Sequence, residues 1–472
     1  MQTATDLFRY IQEYLGVSAL TIALLALIGL CFGLPAGKTV RAAFAAGAGF
    51  AGLGLLLGAL EGVLVPAVQA IAESSGLSAE IIDIGEPPFA AVVSASPIGV
   101  WILPLGIAVN LLLLATNTTQ TINIDLLSYR YFAYTGVMVQ NAANSCPIGL
   151  AAAALNMVVV MILADGAASG LERNAGLRGV SMPHGFAAVF VPVARVMNRI
   201  VDYLPGLNRL KADMNLLQKR LGVFGEPALL GFAFGFAIVF AARPGAVPDR
   251  IADALAAAVQ TAAVFALAPK TLSFLIRQVR PFSNAAETRL QRRRKNRGRV
   301  FIGPDAVCGL GQPLVLTCTP ILMLFSVFLA VILPGDRMLP FAGLAFVPYI
   351  LVAVLPVTGG AFFRTLLVAA ATTAVMLCCG SGMADALMRA AAEVGTEAYA
   401  GYTGSFSSVQ AANPLTWAMT ALGSLQYTGL AIMAVLTLGF ALQNRGRIVK
   451  EAKKAAEKRA NAARKNAAEK RT

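Results

Sequence analysis

Charge is scarce in this 472-residue chain: Asp, Glu, Lys and Arg make up 13% of it, against about 25% in an ordinary soluble domain. Hydrophobic residues reach 57%, above the roughly 45–50% of soluble chains. The ordinary soluble class is excluded. Tryptophan occurs twice, too rarely to trace an aromatic belt. The single histidine leaves none suited to a soluble phosphocarrier domain. There is no Walker A loop, no dinucleotide fingerprint and no HExxH, so no nucleotide, cofactor or metal is expected. The six cysteines form no CxxC and lie in or beside apolar runs, which makes them reduced packing residues.

Long uncharged stretches are what the chain does have. They run 14–37, 42–60, 91–124, 227–242, 308–334 and 415–443. A helix needs about 20 mostly apolar residues to cross hydrocarbon, so the pattern reads as an all-α polytopic membrane protein. Candidate crossings are 17–34, 42–65, 98–116, 131–163, 183–200, 223–242, 249–268, 307–333, 338–356, 361–380 and 415–440. The stretch 131–163 is too long for one crossing, and 183–200 and 338–356 are broken by proline. Segments such as 84–97 read equally as re-entrant hairpins.

Positive charge is concentrated. Residues 270–299 hold ten Lys/Arg against Glu287, and 445–471 hold eleven against three Glu. By the positive-inside rule both stay cytoplasmic, as does the Lys38/Arg41 turn. Eleven crossings then carry an outside N-terminus to an inside C-terminus. The expected organisation is a permease domain over 1–443, with halves at about 1–268 and 301–443 joined by a basic loop at 269–300, and a basic tail over 444–472. No nucleic-acid reader motif accompanies the charge; an acidic partner or anionic lipid is the alternative occupant. Residues 203–222 mix leucines with basic groups at helical spacing, as an interfacial helix does.

A faint internal echo links Phe186–Pro192 with Phe341–Pro348, and Gly85-Glu86-Pro87 with Gly225-Glu226-Pro227. Interrupted apolar segments in two halves point to inverted repeats around a midplane site. An ionisable group in hydrocarbon is costly and faces a cavity. Glu226, between Gly225 and Pro227, therefore reads as a hydroxyl acceptor, or as a charge at a helix N-terminus. His184, in a Pro-Gly break, reads as a substrate or proton ligand, or as packing. Asp305 and Gln312 stand at the next broken helix start. Asp83 lies at a candidate hairpin, and Asn141 is an amide near membrane depth. No catalytic residue is expected.

The ordered series Ile28–Leu34, Lys38/Arg41, Gly47–Gly54, Thr121–Asp125, Ser181–His184, Phe224–Pro227, Ile302–Asp305, Leu333–Gly335 and Leu339–Phe341 resembles the galactitol-type enzyme IIC permeases of the bacterial phosphotransferase system, relatives of the ascorbate permease. The resemblance implies a homodimer that carries a sugar or polyol past a fixed scaffold. It implies a separate phosphocysteine-bearing enzyme IIB, with IIA behind it, that phosphorylates the sugar on arrival. Glu226, His184 and Asp305 would orient hydroxyls. Two places depart from the family: Gly85-Glu86-Pro87 stands where Gly-Trp-Pro is expected, and Leu126–Phe132 where an aromatic, His-containing run is expected. An ion-coupled secondary transporter and a non-transporting receptor or scaffold are the alternative readings.

Overall fold

A computed structural model describes residues 16–77, 80–126, 128–203, 222–293, 298–394 and 404–469. Most of the interfacial segment 203–222 and the first fifteen residues lie outside the described residues.

The chain is overwhelmingly helical. It runs α1 (Gly16–Cys31), α2 (Ala36–Ser74), β1 (Ile81–Asp83), α3 (Glu86–Ala95), α4 (Pro97–Ala115), β2 (Thr121–Asn123), α5 (Ser128–Ala143), α6 (Cys146–Ala175), α7 (Phe190–Tyr203), α8 (Pro227–Ala242) and α9 (Val247–Arg293). It continues with β3 (Phe301–Gly303), α10 (Val307–Leu310), α11 (Pro313–Ile332), β4 (Met338–Leu339), α12 (Pro348–Val354), α13 (Phe362–Val394), β5 (Ser405–Ser407), α14 (Pro414–Gly423) and α15 (Gln426–Glu469). Among the described residues seven helices are long and apolar enough to cross a membrane: α2, α4, α6, α9, α11, α13 and α15. The apolar helices α1 and α8 are shorter.

Local chemistry sets most of these boundaries. Proline opens α4, α8, α11, α12 and α14, where its missing N–H costs nothing and its φ is already helical. Ser96 caps α4 through Ile98 N, and Asn413 caps α14 through Leu415 N and Thr416 N. The overlong stretch 131–163 divides between α5 and α6, with Asn144 at φ 51° in the turn. The segment read as a basic loop from 269 is helix as far as Arg293. The basic tail is likewise helix to Glu469.

Helices α2, α8 and α9 pack together. A Cβ on Gly231 would lie 2.7 Å from Thr261 O, and one on Gly235 2.6 Å from Thr261 Oγ1. Small residues four apart thus let α8 close onto α9, where dispersion rather than a hydrophobic drive holds helices in lipid.

The few extended residues fall into two parallel groups. In one, β1 lies between β4 and β5. In the other, β3 pairs with β2 on one side, in the register Thr121↔Phe301, Ile122↔Ile302 and Asn123↔Gly303. On its other side lies the stretch at Val180, through Ile302 N to Gly179 O and Ser181 N to Ile302 O, both 3.0 Å. Each middle strand therefore sits between two strands from the other half of the chain. Backbone groups in the broken segments find partners this way, as the membrane interior requires.

Candidate functional site

The group around β3 delivers three polar side chains to one place. Beyond Asn123 the chain continues to Asp125; beyond Gly303, to Asp305; beyond Ser181, to His184. One ligand atom from each lies within 4.8 Å of the other two. Glycine at 303 is what allows the three stretches to close up: a Cβ there would lie 2.6 Å from Pro183 Cγ and 2.7 Å from Thr121 Cγ2.

Each of the three is held locally. Asp125 is buried and accepts from Ser128 N (3.0 Å) and Ser128 Oγ at the start of α5. Ser128 Oγ also accepts from Gly185 N (3.1 Å), tying this turn to the histidine loop. From the second half, Asn413 Nδ2 donates to Gly185 O (2.8 Å). The half-buried Asp305 accepts from Val307 N (2.9 Å). Burial raises its carboxyl above the ordinary carboxylate range, against the pull of the Val307 amide and of Arg130.

His184 is 2% exposed, and its ring lies 5.0 Å from the rings of both Tyr131 and Tyr349. Its Nδ1 accepts from Phe186 N (3.3 Å) and Ala187 N (3.2 Å). In the neutral ring the proton is then on Nε2. That nitrogen is a donor rather than a lone pair, which suits a hydroxyl better than a metal ion. One neutral donor beside two carboxylate acceptors is the complement of neighbouring hydroxyl groups.

Around this cluster stands an ion pair, Arg130 Nη1 to Glu86 Oε1 at 2.8 Å. Arg130, on α5, is close enough to act on both Asp305 and His184. β2 has its own clamps. Asp165 of α6 is buried and accepts from Thr119 Oγ1, Gln120 N, Thr121 Oγ1 and Asn444 Nδ2, at 2.8–3.1 Å. Asn110 of α4 donates to Thr121 O and accepts from Asn123 N.

The residues singled out from sequence divide. His184 and Asp305 meet. Glu226 does not join them: it is exposed at the N-cap of α8, on the α2–α8–α9 side. Asp83 belongs to the other strand group, where its buried carboxylate accepts from Gly85 N (3.1 Å), Gly343 N (2.6 Å) and Val409 N (3.2 Å). It pins together the turns after β1, β4 and β5. Gln312 precedes α11 and donates to Ala175 O (3.1 Å). Asn141, its amide turned to suit its neighbours, donates to Glu393 Oε2 (3.1 Å) and Val137 O (3.3 Å). Sequence reasoning passed over Asp125 and Arg130 as site residues, and left Glu86 between a re-entrant hairpin and an external loop. The signal for Asp125 was the likeness of Asn-Ile-Asp to Gly-Pro-Asp, which gains meaning only when β2 is known to pair with β3.

Comparison with known proteins gives the family. Residues 14–403 match the family EIIC-GAT, described as "PTS system sugar-specific permease component". The chain is 29% identical over 414 residues to the "PTS system galactitol-specific EIIC component" of Escherichia coli (strain K12), covering 88% of this chain and 90% of that protein. The same figures hold for the counterpart in Escherichia coli O157:H7. It is 27% identical over 445 residues to the "Putative permease IIC component" of Escherichia coli (strain K12), covering 94% of this chain and all of that protein.

Proposed function

The chain belongs to the sugar-specific permease components of the phosphotransferase system, and from that premise we propose that it carries a galactitol-like polyol to the cytoplasmic face for phosphorylation by a separate enzyme IIB. As a member it is a sugar or polyol permease of the bacterial membrane that works with EIIB and EIIA partners.

One observation carries the reading: Asp125, His184 and Asp305 meet at the ends of three neighbouring parallel stretches. In our reading the His184 Nε2–H donates to one hydroxyl of the substrate. Asp125 and Asp305 accept from its neighbours, and Arg130 offsets part of their charge. Hydrogen bonds to charged partners contribute about 1.5–3 kcal/mol each, enough to hold a small polyol against loss of its water. No residue of this chain needs to react. The phosphoryl group comes from the partner's cysteine, and the charged product is then retained inside. Asp83 serves as a pin between strands, and Glu226, Gln312 and Asn141 lie outside the pocket.

The finer architecture is proposed on the same footing. The order helix pair, strand, helical hairpin, strand, helix, long helix, extended stretch, helix occurs once over α1–α7 and again over α8–α14. This supports two inverted repeats, with eleven crossings from an outside N-terminus to a cytoplasmic C-terminus. The extended stretches then pair reciprocally between repeats, so neither half can assemble its strand group alone. A homodimer is part of the proposal. So is docking of enzyme IIB, and of anionic lipid headgroups, on the basic ends of α9 and α15.

The test is uptake of labelled galactitol in cells expressing the chain, with and without the general phosphocarrier proteins. The proposal expects phosphorylated product in the first case and no accumulation in the second. Accumulation of free galactitol without phosphocarriers would refute it.

A further inference from the structure

Next to the hydroxyl-binding cluster stands a carboxylate that nothing described so far uses. Glu61 lies well inside α2, a 39-residue helix with an apolar spanning window. It is half-buried. Among the described residues no hydrogen-bond donor or cation partners it, and the one charge acting on it is another carboxylate, Glu86. A carboxylate at membrane depth is costly, and persists where a cavity or ligand satisfies it.

Glu61 borders a small pocket between α2 and the helices that follow Asp305. The walls are mainly apolar, with Leu57, Leu60 and Leu64 on α2 and Leu310, Leu316 and Met323 opposite, and Thr319 is the other polar residue of the lining. This cleft adjoins the cluster at two points. Leu310 ends the short helix that follows Asp305. Pro348, also in the wall, precedes Tyr349, whose ring lies against His184 and on which Glu61 acts. A small, mainly apolar pocket with a carboxylate in its lining suits the terminal substituent of a carbohydrate bound at the cluster.

The charges decide what that substituent is. Glu61, Glu86, Asp125 and Asp305 act on one another or on the same tyrosines, and Arg130 is the cation among them. Arg130 is already paired with Glu86, so Glu61 is left facing negative charge. A substrate carboxylate would be repelled here, a hydroxyl tolerated, and an ammonium group attracted.

We propose that Glu61 and its cleft form a second subsite that takes an amino group on the carbohydrate, so that an amino-polyol binds in preference to the corresponding polyol. This rests on the polyol reading above. The test is calorimetry on the purified full-length protein with galactitol, 1-amino-1-deoxygalactitol and galactonate, for wild type and Glu61→Gln. In wild type the amine is expected to bind about tenfold more tightly than galactitol, the equivalent of about 1.4 kcal/mol, and galactonate more weakly than either. In Glu61→Gln the ratio of amine to galactitol is expected to fall to about one. Equal wild-type affinities for the amine and galactitol would overturn the subsite with no variant needed. An amine preference that persists in Glu61→Gln would overturn it too. If wild type binds none of the three, the polyol reading itself fails, a result distinct from galactitol binding without amine preference.

Discussion

Asp125 and Asp305 stand at matching positions on two parallel strands, each two residues beyond the paired Asn123 and Gly303. Residues far apart in the chain thus present like charges to the same space, with the neutral His184 beside them. Arg130, the cation beside them, is bonded to Glu86. A donor-rich ligand relieves that arrangement.

Replacing either carboxylate separates binding from folding. Asp125→Asn keeps an oxygen for Ser128 N at the start of α5, so thermal stability is expected to change little. Galactitol affinity is expected to fall about tenfold or more, because a charged acceptor contributes about 1.5–3 kcal/mol. Calorimetry together with a thermal melt checks both halves. Unchanged affinity would remove Asp125 from the site.

Galactitol binding should weaken in mild acid. The ionised Asp305 is the acceptor, and burial raises its carboxyl. Its proton therefore returns at a higher pH than an ordinary carboxylate's, and the acceptor is lost as pH falls. Affinity measured from pH 8 to pH 5 is expected to decline toward the acid end in wild type. In Asp305→Asn it is expected to be low and flatter across the range.

Asp165 is expected to matter for the fold. Four donors converge on its carboxylate from the start of β2 and from α15. Asp165→Ala strands them at about 1–3 kcal/mol for each that stays buried and unpaired. A clear drop in the melting temperature in detergent is expected, with a smaller drop for Asp165→Asn. A wild-type melting temperature for Asp165→Ala would show that these bonds hold nothing.

Gly303→Val tests the closure of the three stretches. Its added carbons meet Pro183 and Thr121 at distances no real Cβ tolerates. The strands must part, and galactitol affinity is expected to fall at least as far as in Asp305→Asn. Glu226→Gln, at an exposed helix start distant in the fold, is expected to bind as wild type does. The same titration reads both.

Sequence alone revealed the membrane class because uncharged runs of spanning length leave little alternative. It put a candidate crossing on each of the seven long helices but matched both ends closely only for α4, and the length of 131–163 already signalled a break. It missed the continuation of α9 to Arg293 because apolar composition ends near Ala268 while helical hydrogen bonding does not. The strands were invisible: two or three residues carry no periodicity, and their partners lie in the other half of the chain. The site suffered from the same blindness. His184 and Asp305 stood out as polar groups in broken segments. Gly-Glu-Pro opens a helix twice, at Glu86 and at Glu226, and local sequence favoured Glu226, which the fold keeps apart from His184 and Asp305. Glu86 is the copy that lies beside the cluster, paired with Arg130. Those two residues sit in the two stretches that depart from the family's pattern, a link that only the fold makes visible.

The most direct measurement is a double-mutant cycle in galactitol affinity over His184→Ala and Asp305→Asn. If both side chains grip the same polyol, each single change weakens binding by about tenfold or more, and the double variant loses less than the two effects combined. Wild-type affinity in both single variants would contradict a carbohydrate site at the ends of these strands.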